Sequence, residues 1–166
     1  MELVVIANNI RSTHNVGSIL RTADGFGVHK VFLTGYTPYP AQEHDARLPH
    51  LRVKLTAQIH KTALGAEITV PTEHVENIGN LLRELKDSGY ELIALEQHER
   101  STPLNSFVSE GKKLALLLGE EVNGIPPDLL ALCDHIIEIP MRGQKESFNV
   151  SVAAGISIYE LSKHTF

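Results

Sequence analysis

Residues 2–33 read ELVVIANNIRSTHNVGSILRTADGFGVHKVFL: an apolar run, a polar loop, a helical pattern and a second apolar run. ELVVIA (2–7) is uninterrupted and rich in branched side chains, as expected of a strand buried on both faces of a parallel sheet. Asn15 is placed to cap a helix in which Ile19, Leu20, Ala23 and Phe26 recur at helical spacing, and Gly27 is placed to stop it. VFL (31–33) then supplies a second strand. A strand, a helix and a strand within about thirty residues make a parallel crossover unit.

The alternation continues. Pro38, Pro40 and Pro49 interrupt the next segment, in which a helix is expected around 52–63. Val75, Ile78, Leu81, Leu82 and Leu85 mark an amphipathic helix that ends near Gly89. YELIAL (90–95), KLALLLG (113–119) and HIIEIP (135–140) are further apolar strands, and PPDLLALC between the last two offers a short helix with proline at its start. SFNVSVAAGISIYE (147–160) is a final helix whose opening Ser, Asn and Ser are more polar than its apolar body requires. The expected fold is an α/β domain with a mostly parallel sheet covered by helices on both faces, and ligands belong at the C-terminal ends of its strands.

The 166 residues suit one compact domain with its own core. Aromatic residues at 5% with no tryptophan argue against a single-strand binder built on many stacking platforms. One cysteine, Cys133, excludes an internal disulfide. With no basic leader before an apolar segment and no apolar run near the length of a membrane span, the expected location is the cytoplasm. The net charge of -5 is unevenly spread. Residues 1–66 hold seven Lys or Arg against four acids, residues 67–138 five against fourteen, and residues 139–166 three against two. This distribution permits an RNA-facing surface and equally permits ordinary solvated faces.

Three loops that follow strands are richer in polar and glycine residues than turns require: NNIRSTHN, with Arg21 one and a half helical turns later, GEEVNGIP (119–126) and IPMRGQKESFN (139–149). None contains GxxxxGK followed by Ser or Thr, and no GxGxxG opens a helix, so the usual nucleotide-phosphate cradles are unsupported. The nine histidines lack a CxxC or HExxH setting, and no metal is expected. Taken singly, Arg21 reads as a solvated side chain, Glu120 and Glu121 as capping groups, and Ser147 and Asn149 as helix caps.

Taken together, the loops resemble a known family. NIRSTHNVGSILRTADGFGV, LALLLGEEVNGIP and IPMRGQKESFNVSVAAGISIYE are similar, in order, to the three motifs of the SpoU/TrmH class of RNA 2'-O-ribose methyltransferases in the SPOUT superfamily. KTALGAE (61–67) resembles a linking segment of that class. The resemblance runs from residue 9 to 160 and implies a C-terminal trefoil knot, which is exceptional among folds. It also implies S-adenosyl-L-methionine as cofactor and a homodimer with the active site at its interface. The chain is accordingly expected to be a single domain without an appended RNA-binding domain.

Carried over by residue, the resemblance places Arg21, Asn15, Glu120 and Asn149 in the catalytic region. Leu95, Glu96, Gly119, Ile139, Met141 and Ser147 would line the cofactor site, with Arg11, Arg142 and Lys145 as phosphate contacts. Arg21 is expected to clamp an RNA phosphate, because a guanidinium pKa above about 12 makes it a poor unassisted base. Asn15 and Asn149 would align the ribose hydroxyl, and Glu120 would order the site or tune Arg21. Arg47, Arg52 and Lys54 in the proline-interrupted segment are further expected substrate contacts. The implied substrate is tRNA. An rRNA substrate, a non-catalytic RNA-binding protein keeping the fold, and an enzyme acting on a small molecule are the alternatives.

Overall fold

The computed structural model describes residues 1–163. β1 (Glu2–Asn8) leads through α1 (Thr13–Gly25) to β2 (Lys30–Thr34). A long connection carries α2 (Pro49–Ala63) and α3 (Ala66–Thr69) before β3 (Thr72–Val75). Then come α4 (Ile78–Asp87), β4 (Glu91–Leu95), a short β5 (Thr102–Pro103), β6 (Lys113–Leu118), α5 (Pro127–Leu130), β7 (His135–Glu138) and α6 (Val150–Ser162). All strand pairs are parallel, in the order β3-β2-β1-β6-β4-β7-β5. β1 runs beside β6 with Leu3 opposite Leu114 and Ala7 opposite Leu118. The chain first builds outward from β1 to β3 and later fills the other half in the order β4, β5, β6 and β7, with β6 entering between β1 and β4 and β7 between β4 and β5. The building direction therefore reverses at the β1–β6 boundary, the kind of place where parallel α/β sheets bind ligands beyond their strand ends.

Side-chain alternation divides the apolar interior between the two faces. Leu3, Val5, Ala7, Leu114, Leu116 and Leu118 point to one side, where Ile19, Leu20 and Ala23 of α1, Ile59 of α2, and Ala154 and Ile158 of α6 cover them. Val4, Ile6, Leu92, Ala115 and Leu117 point to the other, beneath Leu81, Leu82 and Leu85 of α4 and Leu129 and Leu130 of α5. Both faces being apolar explains why β1 and β6 read as unbroken apolar runs.

Several expected boundaries move. Ser12, not Asn15, caps α1: its hydroxyl accepts the Asn15 backbone N–H at 3.3 Å, and the helix begins three residues earlier than expected. A serine one turn upstream satisfies the free N–H groups, which releases the Asn15 side chain for other contacts. Val75 belongs to β3 rather than to α4, whose cap is Asn77. β3, α3 and β5 are short elements absent from the apolar pattern. KTALGAE ends α2 through Leu64 and Gly65, both at positive φ, and turns the chain directly into α3.

Within the proline-interrupted segment, Arg47 donates to Asp45 and to the carbonyls of Tyr39 and Pro40, and its guanidinium stands 3.4 Å from the centre of the Tyr39 ring. The Asp45 side chain is only 1% exposed. Arg47 is thus spent on holding its own loop, while Lys54 remains exposed. Among the described residues no helix is long and apolar enough to cross a membrane.

Candidate active site

The loops after β4, β6 and β7 and the start of α6 surround a cavity of about 270 Å³ at the C-terminal edge of the sheet. Leu95, Glu96, Gly119, Ile139, Met141 and Ser147, all expected there, line it. Close backbone approach shapes its floor. A Cβ on Gly119 would lie 2.6 Å from Ile125 Cγ1 and 2.7 Å from the Gly124 carbonyl carbon. Gly124 has φ +67, and a Cβ there would lie 2.2 Å from a carboxylate oxygen of Glu96. Reciprocal backbone bonds between Glu120 and Gly124, at 3.2 and 3.0 Å, close the loop into a tight turn. Glu96 secures that turn by accepting the Ile125 N–H at 2.8 Å.

Among the described residues, five glutamates (96, 120, 121, 138 and 146) and no lysine or arginine line this cavity. Its potential suits a cationic ligand and opposes a phosphate. Leu95, Ile139 and Met141 add apolar walls.

The polar rim ties three loops together. Asn15 Nδ2 donates to Glu121 Oε1 at 3.1 Å, and Asn149 Nδ2 donates to Asn15 Oδ1 at 3.2 Å. Asn149 also caps α6, with its Oδ1 accepting the Ser151 N–H at 2.9 Å. One side chain therefore sets the helix start and the rim. Arg11 Nη2 donates to Glu120 Oε1 at 2.9 Å. The Glu120 side chain is 12% exposed, and hydrogen bonds from Asn123, then Tyr36 and Arg11, hold its carboxyl below the usual range.

A SpoU rRNA Methylase family model matches residues 2–159. The chain belongs to that family. It is 38% identical over 159 residues to the 23S rRNA (guanosine-2'-O-)-methyltransferase RlmB of Nitrosomonas europaea, covering 95% of this chain and 55% of that protein. The chain spans a little over half the length of the curated relatives it matches. A TrmH/SpoU tRNA modifying enzyme from A. aeolicus superposes with a TM-score of 0.80 at 29% identity, over 98% of this chain and 74% of that one. An AdoMet-bound rRNA methyltransferase from Sinorhizobium meliloti shares the fold at a TM-score of 0.82 and 24% identity, over 99% of this chain and 57% of that one.

Within this SpoU chain, Asn15, Glu120 and Asn149 meet at one rim, whereas Arg21 does not join them. At 100° per residue, Arg21 lies about 120° around α1 from Asn15 and about 9 Å along the axis. It is exposed, and none of the side-chain hydrogen bonds among the described residues involves it. Glu120 accordingly pairs with Arg11, correcting the expectation that it tunes Arg21. Arg11 is held by that carboxylate while its side chain stays 68% exposed. Arg142 and Lys145 are exposed on the loop that leads to α6.

Glu121, Glu138, Glu146 and Gly124 carry much of the site and were not among the expected residues. Glu121 and Gly124 lie within GEEVNGIP, and a glycine closing a three-residue turn after Glu120 is the available signal.

Proposed function

We propose that this chain is an S-adenosyl-L-methionine-dependent RNA methyltransferase acting on a ribose 2'-hydroxyl. The observation that carries the reading is the acidic, glycine-floored cavity whose rim is closed by Asn15 and Asn149 from opposite ends of the chain. The residues present fit the cofactor: Leu95, Ile139 and Met141 would flank its adenine, Gly119 and Gly124 permit close approach, and the glutamates favour its positive charge. Bound there, the cofactor supplies an electrophilic methyl group. That methyl group would pass to the ribose 2'-oxygen, whose proton would leave to solvent.

The protein's contribution is positional. Asn15 and Asn149 present amides beside the cavity, Ser147 lines its wall, and together they orient the hydroxyl in line with the methyl group. Glu120 fixes Arg11 at the mouth, where one of its faces stays open to RNA phosphate. Arg142 and Lys145 extend that contact along the loop before α6.

A homodimer completes the reading. Val152, Ile156 and Tyr159 are 50%, 37% and 52% exposed on one face of α6, a stripe at helical spacing beside the site. A second copy covering this stripe would bring exposed Arg21 side chains toward the paired sites, where each acts as a phosphate clamp. The RNA is taken to be tRNA, the class named for the A. aeolicus enzyme, and the rRNA of the Nitrosomonas enzyme is the alternative. The single α/β domain would act in the cytoplasm.

The test is methyl transfer from labelled S-adenosyl-L-methionine to unmodified total tRNA and, separately, rRNA, with nucleoside analysis of the product. A 2'-O-methylated nucleoside, lost by at least about 100-fold in Arg21→Ala, supports the reading, since a transition-state contact is worth on the order of that factor. Cofactor binding without transfer to either RNA would overturn it.

A further inference from the structure

A second hollow opens on the other side of Arg11. It is about 600 Å³, wider and shallower than the cofactor site, and its walls include Arg11, His14, Tyr36, Pro38 and Gln58. Among the described residues, no carboxylate side chain lines it. The two hollows therefore have opposite electrostatic character, acidic for one and basic for the other, and Arg11 stands between them. Its Nη2 reaches Glu120 on the acidic side, and its guanidinium lies 5.7 Å from the Tyr36 ring centre on the basic side.

Tyr36 is 51% exposed, yet its backbone is tightly held. Asn9, at φ 56, accepts the Tyr36 N–H on its side-chain oxygen at 3.1 Å. Gly35, at φ +63, leaves the space that this amide fills, since a Cβ there would sit 1.9 Å from Asn9 Oδ1. The buried Thr37 hydroxyl donates to the Ala7 carbonyl at 2.9 Å and accepts the Ile10 N–H at 3.0 Å. The turn after β2 is thus pinned on both sides of Tyr36 to the end of β1, so an exposed aromatic ring is carried on a rigid base.

We propose that this hollow is a nucleotide subsite for the RNA substrate: Tyr36 stacks on the base of a nucleotide flanking the methylated ribose, and Arg11 contacts its phosphate. The proposal rests on the RNA-methyltransferase reading of the neighbouring cavity and adds how the RNA is gripped. An open aromatic face beside a cation and free of carboxylates matches an unstacked nucleotide, which offers a π-face and an anion together. A protein partner would more often meet an aromatic anchor in an enclosed apolar pocket, and this hollow is open, with polar and apolar walls mixed. Arg11 joins the two sites: the carboxylate that fixes it belongs to the cofactor cavity, so the RNA grip is aligned with the methyl donor.

Filter binding of unmodified total tRNA and of total rRNA to the wild type, Tyr36→Ala and Tyr36→Phe tests this, with calorimetric titration of S-adenosyl-L-methionine on the same proteins. The expected result is that Tyr36→Ala weakens the affinity for the bound RNA at least about fivefold, with cofactor affinity within twofold of wild type. Tyr36→Phe, which keeps the ring, restores most of the RNA affinity. An RNA affinity within twofold of wild type for Tyr36→Ala overturns the subsite, as does equal weakening of cofactor binding, which would mark general disruption of the loop. Binding rather than turnover is the readout. A wild type that binds RNA through Tyr36 but transfers no methyl group would overturn the activity and leave the subsite standing, and failure of the wild type to bind either RNA would overturn the subsite.

Discussion

Asn149 does two jobs with two atoms. Its Oδ1 caps α6 and its Nδ2 bonds to Asn15 across the rim. Asn149→Ala is expected to lose both, costing about 1 kcal/mol of stability for the cap alone. Asn149→Asp keeps the capping oxygen but cannot donate to Asn15. Its melting temperature should stay near wild type while methyl transfer falls about tenfold, the equivalent of ~1.4 kcal/mol in the barrier; equal activity of Asp and Asn would show that the rim bond is idle. Gly119→Ala pushes a methyl into the Gly124 backbone, which cannot yield as a flexible side chain would. Cofactor affinity should fall by more than about tenfold, roughly the effect of overpacking by 1–3 kcal/mol, and calorimetry reads it directly. Sequence pattern placed the rim residues in the right loops because each loop follows an apolar run. It misassigned their partners, since nothing in spacing shows that Arg11 rather than Arg21 faces Glu120.

At the level of elements, α1 and α2 approach closely at Gly17. A Cβ there would lie 2.1 Å from Thr62 Oγ1 and 2.4 Å from the Ile59 carbonyl oxygen. Gly17→Ala must part the two helices and should destabilise the protein by about 2 kcal/mol in denaturant unfolding. The loop before α2 depends on Asp45, whose carboxyl is held well below its ordinary value chiefly by the Arg47 hydrogen bond. A depressed carboxyl pKa means that the stabilisation is complete above the unfolded value near pH 4 and fades as pH falls toward the folded one. Asp45→Asn should therefore be less stable than wild type at pH 7 by about 2–3 kcal/mol, and the difference should shrink in acid; a gap independent of pH would assign it to packing. The long strands and helices were legible because both sheet faces are apolar. β3, with no fully buried side chain, and the two-residue β5 were not, because edge position leaves little apolar pattern. The cap of α1 was misread for a similar reason: Ser12 and Asn15 are both good caps, and only the tertiary use of Asn15 decides between them.

For the whole molecule, the stripe on α6 is the surface proposed above to carry a dimer. Ile156→Asp, or Tyr159→Asp, should convert a dimer to monomers in sedimentation velocity at micromolar concentration without lowering helix content, because each is partly exposed in the protomer. A dimer that survives both changes is built elsewhere. Cys133 gives a check on compactness. Burial, and then Asp134 beside it, push its thiol up to about 11. It should react slowly with a thiol reagent at pH 8 in the native protein and rapidly after unfolding.

Asn9 and Gly35 come from different connections, one after β1 and the other after β2, yet they share one volume. Any side chain at position 35 must expel the Asn9 amide, and loss of that amide leaves the Tyr36 N–H without its acceptor. Neither position is free to drift alone. In a saturation library, Gly35 substitutions should be tolerated chiefly on backgrounds where residue 9 has become small, so the pair should be inherited as a unit and mark which lineages keep a tyrosine beside them.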